Sequence, residues 1–179
     1  MRNLWKGVLG LSMIGMWLGV SAPAQADSVG PYYATPSWDQ TLPAATRFIV
    51  LSNFASAAAL DRETGLVWEK VPSTSTFDDW FNASNYCLDL NTGGRTGWRL
   101  PALPELMSLV DRSQSNPALP GGNPFTVQSA GYWSATSSAS NTAFAWRVGF
   151  GNGNVGRDPR SNPHNRAWCV RGGPGVDAQ

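Results

Sequence analysis

Histidine is almost missing from this chain: His164 is the only one in 179 residues. Cysteine is limited to Cys87 and Cys169, and charged residues make up 14% of the sequence. Each shortage excludes something. A single His in a polar stretch, with no nucleophile motif around it, offers no Ser-His-Asp arrangement. One His and two distant Cys offer no zinc ligand set. The expectation is therefore a chain that is not an enzyme and needs no cofactor or metal. A formal charge of +1 supplies no basic face for nucleic acid, and no internal repeat of solenoid length occurs.

The N-terminus reads as an export signal. Arg2 and Lys6 give a positive start, Gly7 to Val20 is uncharged and mostly apolar, and Pro23-Ala24-Gln25-Ala26 offers a small-x-small cleavage site. The competing reading, an uncleaved anchor, is disfavoured because that run is shorter than the roughly 20 residues a bilayer demands. Residues 1–26 are thus expected to be removed, with the membrane met only during export and the product periplasmic, secreted or at the cell surface. In such a compartment Cys87 and Cys169 are expected to be joined. A reactive thiol pair or half a metal site is the alternative.

What remains suits one domain with one core. Nine tryptophans, Trp5 and Trp17 of them in the leader, supply a large apolar payload. Charge is uneven. Residues 61–111 hold Asp61, Glu63, Glu69, Asp78, Asp79, Asp89, Glu105 and Asp111 against Arg62, Lys70, Arg95 and Arg99. Residues 141–171 hold Arg147, Arg157, Arg160, Arg166 and Arg171 against Asp158, so an anionic contact would fall in the C-terminal third.

Residues 27–45 mix Pro, Ser, Tyr and Trp without a period, which predicts an extended lead-in. Residues 47–51 predict a strand, and residues 58–61 and 66–70 a hairpin turning at Arg62-Glu63-Thr64-Gly65. A helix follows, capped by Thr76 with Asp78 and Asp79 in its first turn. Phe77, Trp80, Phe81, Ser84, Cys87 and Leu88 form its apolar stripe. Residues 98–100 predict a short strand. Pro104 opens a second helix carrying Leu103, Leu106, Met107 and Val110. Residues 112–128 predict a long loop, and residues 132–136, 143–150 and 167–171 predict strands. In the second of these, Phe144, Trp146, Val148 and Phe150 alternate onto one face, and Gly151-Asn152-Gly153-Asn154 is a turn signal. The order predicts an α+β domain, with two helices flanking small antiparallel sheets.

Several motifs occur in a characteristic order: Asp61-x-x-Thr64-Gly65-Leu66-x-Trp68, Cys87, Gly93-Gly94-x-x-Gly97-Trp98-Arg99-Leu100-Pro101, Glu105-Leu106-x-x-Leu109-x-Asp111, Tyr132-Trp133-Ser134-Ala135-Thr136 and Cys169-Val170-Arg171-Gly172. This order resembles the C-terminal domain of collagen-like bacterial adhesins, the Lcl C-terminal domain family, long catalogued as a domain of unknown function. The likeness covers about residues 47–173, within a domain of residues 46–174 that leaves 175–179 as a tail. It implies a C-type-lectin-like fold, akin to formylglycine-generating enzymes and phage receptor-binding variable domains. It also implies an exported module for adhesion to a glycan, envelope component or host surface. Ala102 stands where the family often has Thr. No Gly-x-y repeat precedes the domain, so trimeric adhesion is not carried over. The Glu-Pro-Asn and Trp-Asn-Asp signatures of calcium-dependent sugar binding are absent, and Asn116-Pro117 and Asn123-Pro124 read as turns.

Three places could meet a ligand. Gly93 to Pro101 could cradle an anion on backbone N–H groups, but Gly94, Gly97, Trp98, Arg99, Leu100 and Pro101, with Trp133, read better as scaffold, Arg99 pairing with an acid. Tyr132, Trp133 and Trp146 could stack on a sugar, but burial fits their strand positions better. The candidate site is therefore Asn152, Asn154, Arg157, Asp158, Arg160, Asn162, His164 and Arg166, a polar stretch on a stiff frame where Arg forks suit sulfate or carboxylate. A solvated hairpin tip is the alternative. The competing function is an assembly protein whose Trp-rich surface and lead-in pack on a protein partner.

Overall fold

A computed structural model describes residues 42–77 and 79–173. The expected leader, most of the lead-in, Asp78 and the tail lie outside these residues. The chain enters through a helical turn, α1 (Ala44–Arg47), and runs into strand β1 (Phe48–Val50). The end of the lead-in is thus helical, and the strand expected from residue 47 starts at Phe48. β2 (Ala58–Asp61) and β3 (Val67–Glu69) form the expected hairpin. Near the C-terminus β7 (Val170–Arg171) returns beside β3, so the first sheet has the antiparallel order β1-β2-β3-β7. A second antiparallel sheet follows chain order: β4 (Gly131–Ser137), β5 (Phe144–Gly149) and β6 (Asn154–Pro159). Helices α2 (Trp80–Asp89) and α3 (Leu103–Met107) lie between the two sheets in sequence. The architecture is the expected mixed one, with small antiparallel sheets, few helices and one disulfide.

The first hairpin is closed by its own acid. Asp61 accepts the Glu63 N–H (3.1 Å) and the Thr64 hydroxyl (3.0 Å), while its carbonyl accepts the Gly65 N–H (2.8 Å). Arg47, only 1% exposed, clamps the same carboxylate through Nε (2.9 Å) and Nη2 (2.8 Å) and reaches the Ser108 carbonyl (2.9 Å). Asp61-x-x-Thr64-Gly65 is therefore a folding device that ties α1, the hairpin turn and the end of α3 together. Such a buried pair is valuable mainly because losing one partner strands the other charge.

Two apolar clusters form the core. In the first, Trp168 meets Trp68, Phe125 and Phe150 with ring centroids 5.5, 5.1 and 5.1 Å away. Edge-to-face contacts of this kind add to the area that the rings bury. The second cluster holds Phe54, Ala83, Cys87, Trp98, Trp133, Ala145 and Cys169. The bridge Cys87–Cys169 is present, joining α2 to the residue before β7 across 82 positions with Cα atoms 5.4 Å apart.

The Gly93-to-Pro101 motif is scaffold in its geometry. A Cβ at Gly93, whose φ is +65°, would lie 2.6 Å from the Phe54 Cα, so only glycine fits. The N–H groups of Gly94 and Arg95 donate to the Asn91 and Thr92 carbonyls (both 3.3 Å), so these two are spent inside the turn. Trp98 is buried, and Arg99 forks onto both oxygens of Glu105 at 2.7 Å while also donating to the Gly172 carbonyl (2.7 Å). Residues 98–100 form only the single bridge Arg99–Val170 instead of a strand.

Several expectations are corrected. Asp79, not Thr76, caps α2: its Oδ1 accepts the Asn82 N–H at 2.7 Å. The buried face of α2 also differs from the expected stripe. Ala83 and Cys87 are buried, while Phe81 and Leu88 stand 55% and 60% exposed. On β5, Val148 and Phe150 are buried as expected, but so is Ala145 of the opposite parity, while Phe144 and Trp146 are only half-buried. A register shift between Trp133 and Ser137 on β4 breaks simple alternation there. Residues 112–128 carry no regular element, but they are not a free loop. Ala118 and Leu119 are buried and Phe125 and Val127 pack on the core, strapping the segment down. The expected strand 167–171 shrinks to β7.

Glu69 is buried at 5% exposure, with its Oε1 accepting from the Tyr86 hydroxyl (3.4 Å) and its Oε2 unpartnered. Burial raises its pKa from 4.5 to about 7, and hydrogen bonding at the Cys169 backbone and from Tyr86 acts weakly the other way. The folded state thus keeps a proton that the unfolded chain releases. The associated stability is complete below about pH 4.5 and is lost as pH rises to about 7, on the order of 3 kcal/mol in all. Urea denaturation across pH 4–8 should show this decline, and Glu69→Gln should flatten it. Separately, Asp61→Ala should destabilise the domain by about 3–5 kcal/mol, since the buried Arg47 would lose its two-pronged partner and keep, of its carboxylate contacts, only the one to Glu63 at 3.4 Å, and the turn would lose both side-chain bonds.

Candidate functional site

The expected polar loop is half strand. β6 begins at Asn154, and its register sets Asn154 opposite Gly149, Gly156 opposite Arg147, Arg157 opposite Trp146 and Asp158 opposite Ala145. The sequence of small and polar residues hid this strand, because β6 is an edge strand with little apolar content. Alternation then divides the candidate residues between two faces.

On one face Arg147 lies over Gly156, where a Cβ would come within 3.3 Å of its Nη2. Arg147 donates to the Asn154 Oδ1 (3.1 Å) and pairs with Asp158 (3.1 Å), which also accepts from the Asn165 side chain (2.8 Å). On the other face Arg157 donates to the hydroxyls of Ser138 (3.1 Å) and Ser140 (2.6 Å) and lies 5.8 Å from the Phe144 ring centre. Asn152 accepts the Asn154 N–H (3.2 Å), Asn162 accepts the His164 N–H (2.8 Å), and Arg166 donates to the Thr74 carbonyl (3.1 Å). These are mostly internal commitments. The structure does not gather the eight residues into one recognition surface. Tyr132 and Trp133 are fully buried, as their strand positions predicted.

Arg160 is different, because it lines a groove. The opening, about 460 Å³, is bounded by Asp79 and Phe81 at the start of α2, Thr142 and Ala143 before β5, and Arg160 and Ser161 after β6. The Arg160 guanidinium lies 4.3 Å from the Trp80 ring centre and 5.5 Å from that of Phe81, and its Nη2 donates to the Ser137 hydroxyl. Backbone contacts hold the two walls in place: the Trp80 N–H donates to the Arg160 carbonyl (2.7 Å) and the Trp80 indole to the Ser134 carbonyl (2.8 Å). The site therefore sits on three elements whose spacing is set by the backbone. An aromatic face, a carboxylate, a guanidinium and two hydroxyls meet there.

The profile of the Lcl C-terminal domain matches residues 57–171. The chain belongs to the Lcl C-terminal domain family. That span takes in both cysteines, the Gly93-to-Pro101 motif and every residue of the groove, while α1 and Arg47 precede it. No curated protein matches the chain. Among the described residues no group of three His, Cys, Asp or Glu could hold a metal ion, and no helix is long and apolar enough to cross a membrane.

Asp79, Phe81, Thr142, Ala143 and Ser161 escaped the sequence reading. The signal for Asp79 was Asp three positions before the Asn82 N–H that it caps. Phe81 faces out of the core because Ala83 and Cys87 take the inward face of the helix. Thr142, Ala143 and Ser161 carry no local signal, since only the pairing of β5 with β6 brings them beside α2. Truncating Phe81 or Leu88 to Ala should change stability by less than about 0.5 kcal/mol. Trp133→Ala should cost about 3–5 kcal/mol. Guanidinium denaturation of the three variants checks the corrected helix face.

Proposed function

We propose that this domain is an exported, non-catalytic binding module with a C-type-lectin-like fold, recognising a glycan or a cell-envelope or surface component through the groove at Arg160. The observation that carries the reading is the groove itself, where Arg160, one of the expected ligand residues, meets the half-exposed ring of Phe81. Sites for small ligands are typically concave, mostly apolar and equipped with a few convergent polar groups. Support for the lectin-like architecture comes from the first and last strands sharing one sheet, with a disulfide fastening α2 beside the last strand. Support for export comes from that disulfide together with the leader pattern of residues 1–26. With both sulfurs in the bridge, thiol chemistry of the formylglycine type has no free cysteine to use.

A second reading has its own observation. Phe81 and Leu88 are seven positions apart on α2 and both exposed, so the helix shows an apolar strip that a protein partner could cover. Light scattering on the purified protein separates the two: a monomer that retains glycans supports the first, and a constitutive oligomer indifferent to them supports the second. For the first reading, a glycan array probed with the protein and with Arg160→Ala should show signals that the variant loses. Arg157→Ala, whose guanidinium faces Ser138 and Ser140 instead of the groove, should keep them. Equal retention by the protein and by Arg160→Ala would refute the assignment of the groove.

A further inference from the structure

The charges inside the groove narrow the class of ligand. Among the described residues of the lining, Asp79 brings one negative group and Arg160 one positive, so their formal charges cancel. Arg160 is also poorly placed to grip an anion. Its Nη2 is committed to the Ser137 hydroxyl, its Nε is buried without a partner, and its plane rests on Trp80. A sulfate or carboxylate is held best by two parallel N–H donors of one guanidinium, and of the two such pairs on Arg160 the Nε–Nη2 one is closed here. An anion entering the groove would also approach the Asp79 carboxylate and be repelled. A cation fares no better, because the Arg160 guanidinium, 4.3 Å from the Trp80 ring centre and 5.5 Å from that of Phe81, would repel it.

The lining suits an uncharged, many-hydroxyl ligand instead. Phe81 presents an apolar ring that is 55% exposed, set edge-to-face on Trp80 with centroids 5.2 Å apart, so the platform is braced. Asp79 spends Oδ1 on the helix cap, and its Oδ2 has no hydrogen-bond partner among the described residues. A carboxylate oxygen accepts strongly from a hydroxyl. The exposed side chains of Thr142 and Ser161 add donor–acceptor hydroxyls on the far side. A pyranose ring has one apolar C–H face and a rim of hydroxyls, which matches a ring platform flanked by such groups.

We infer that the groove takes an uncharged saccharide unit, stacked on Phe81 and hydrogen-bonded by Asp79, and not a sulfated or carboxylated one. This rests on the groove being the binding site proposed above, and it narrows that site's ligand. Because no net charge is exchanged, affinity is insensitive to salt, in contrast to a contact made by free arginines.

The test is a calorimetric titration of the protein with cello-, malto-, xylo- and chito-hexaose and, in parallel, with a heparin hexasaccharide, at low and physiological salt. At least one uncharged hexasaccharide should bind, with affinity unchanged by salt. Phe81→Ala should weaken it roughly tenfold, the scale of one lost aromatic contact, whereas Phe81→Trp should retain it. Asp79→Asn keeps a competent helix cap and so isolates the acceptor's role; it too should weaken binding, with the amide signals of the fold unchanged by NMR. Heparin binding that Arg160→Ala abolishes, with no uncharged sugar bound, would overturn this inference and leave the groove as the binding site. Uncharged-sugar binding that Phe81→Ala leaves intact would overturn it as well. No saccharide bound at all would overturn both.

Discussion

The fold depends on one closure: the last strand of the domain is brought back beside the third. β7 contributes two residues to the first sheet, too few to hold a chain end by backbone bonding alone. The Cys87–Cys169 bridge, adjacent in sequence to β7, makes up the deficit by tying that end to α2. A cross-link spanning a loop of this length removes much of the unfolded chain's freedom. Trp168 reinforces it from the other side, with rings of four other residues around it and its indole N–H donated to the Glu69 carbonyl at 2.8 Å. Cys169 and Trp168 thus point their side chains into the two clusters of the core from adjacent positions, as alternation requires.

That closure also builds the groove. The bridge fixes the middle of α2, the Asp79 cap fixes its beginning, and the Trp80 backbone and indole bonds fasten the same end to β4 and to the segment after β6. The consequence is an aromatic at Phe81 that faces outward, braced edge-to-face on Trp80, while Ala83 and Cys87 hold the inward face. An exposed aromatic held this way loses little further freedom when a ligand lands on it, which favours binding. Most charged residues of the C-terminal third serve instead to hold β5, β6 and the following turn together: Arg147 with Asn154 and Asp158, and Arg157 with two serines.

The ionisable groups in the interior follow the same division. Arg47 is balanced by Asp61 and Glu63, with a second contact to Glu63 at 3.4 Å. Arg99 is balanced by Glu105. Among the described buried residues Glu69 alone lacks a cation, and it lies beside the disulfide and against α2, where burial, joined by Glu69 itself, pushes the Tyr86 hydroxyl up to about 12. A carboxyl in that position makes the α2 attachment sensitive to proton concentration near neutrality.

Much of the scaffold was legible in the chain. The burial of Trp98 and the Arg99–acid pairing came from the family resemblance, whereas the β2–β3 hairpin, the disulfide, the helices at α2 and α3 and the burial of Trp133 follow from local turn chemistry, apolar spacing and the scarcity of cysteine. These depend on neighbours in sequence, or on there being only one possible partner. What only the tertiary structure decided was orientation across long separations. Packing turned the Ala83–Cys87 face of α2 inward and left Phe81 outward, and an edge strand of small and polar residues divided the Asn/Arg stretch between two faces. The groove joins residues near 80, 142 and 160, which meet because β5 pairs with β6 and α2 is bonded across both. No local pattern encodes such a meeting, since the energy that enforces it comes from packing between segments and not from the propensities of any one of them.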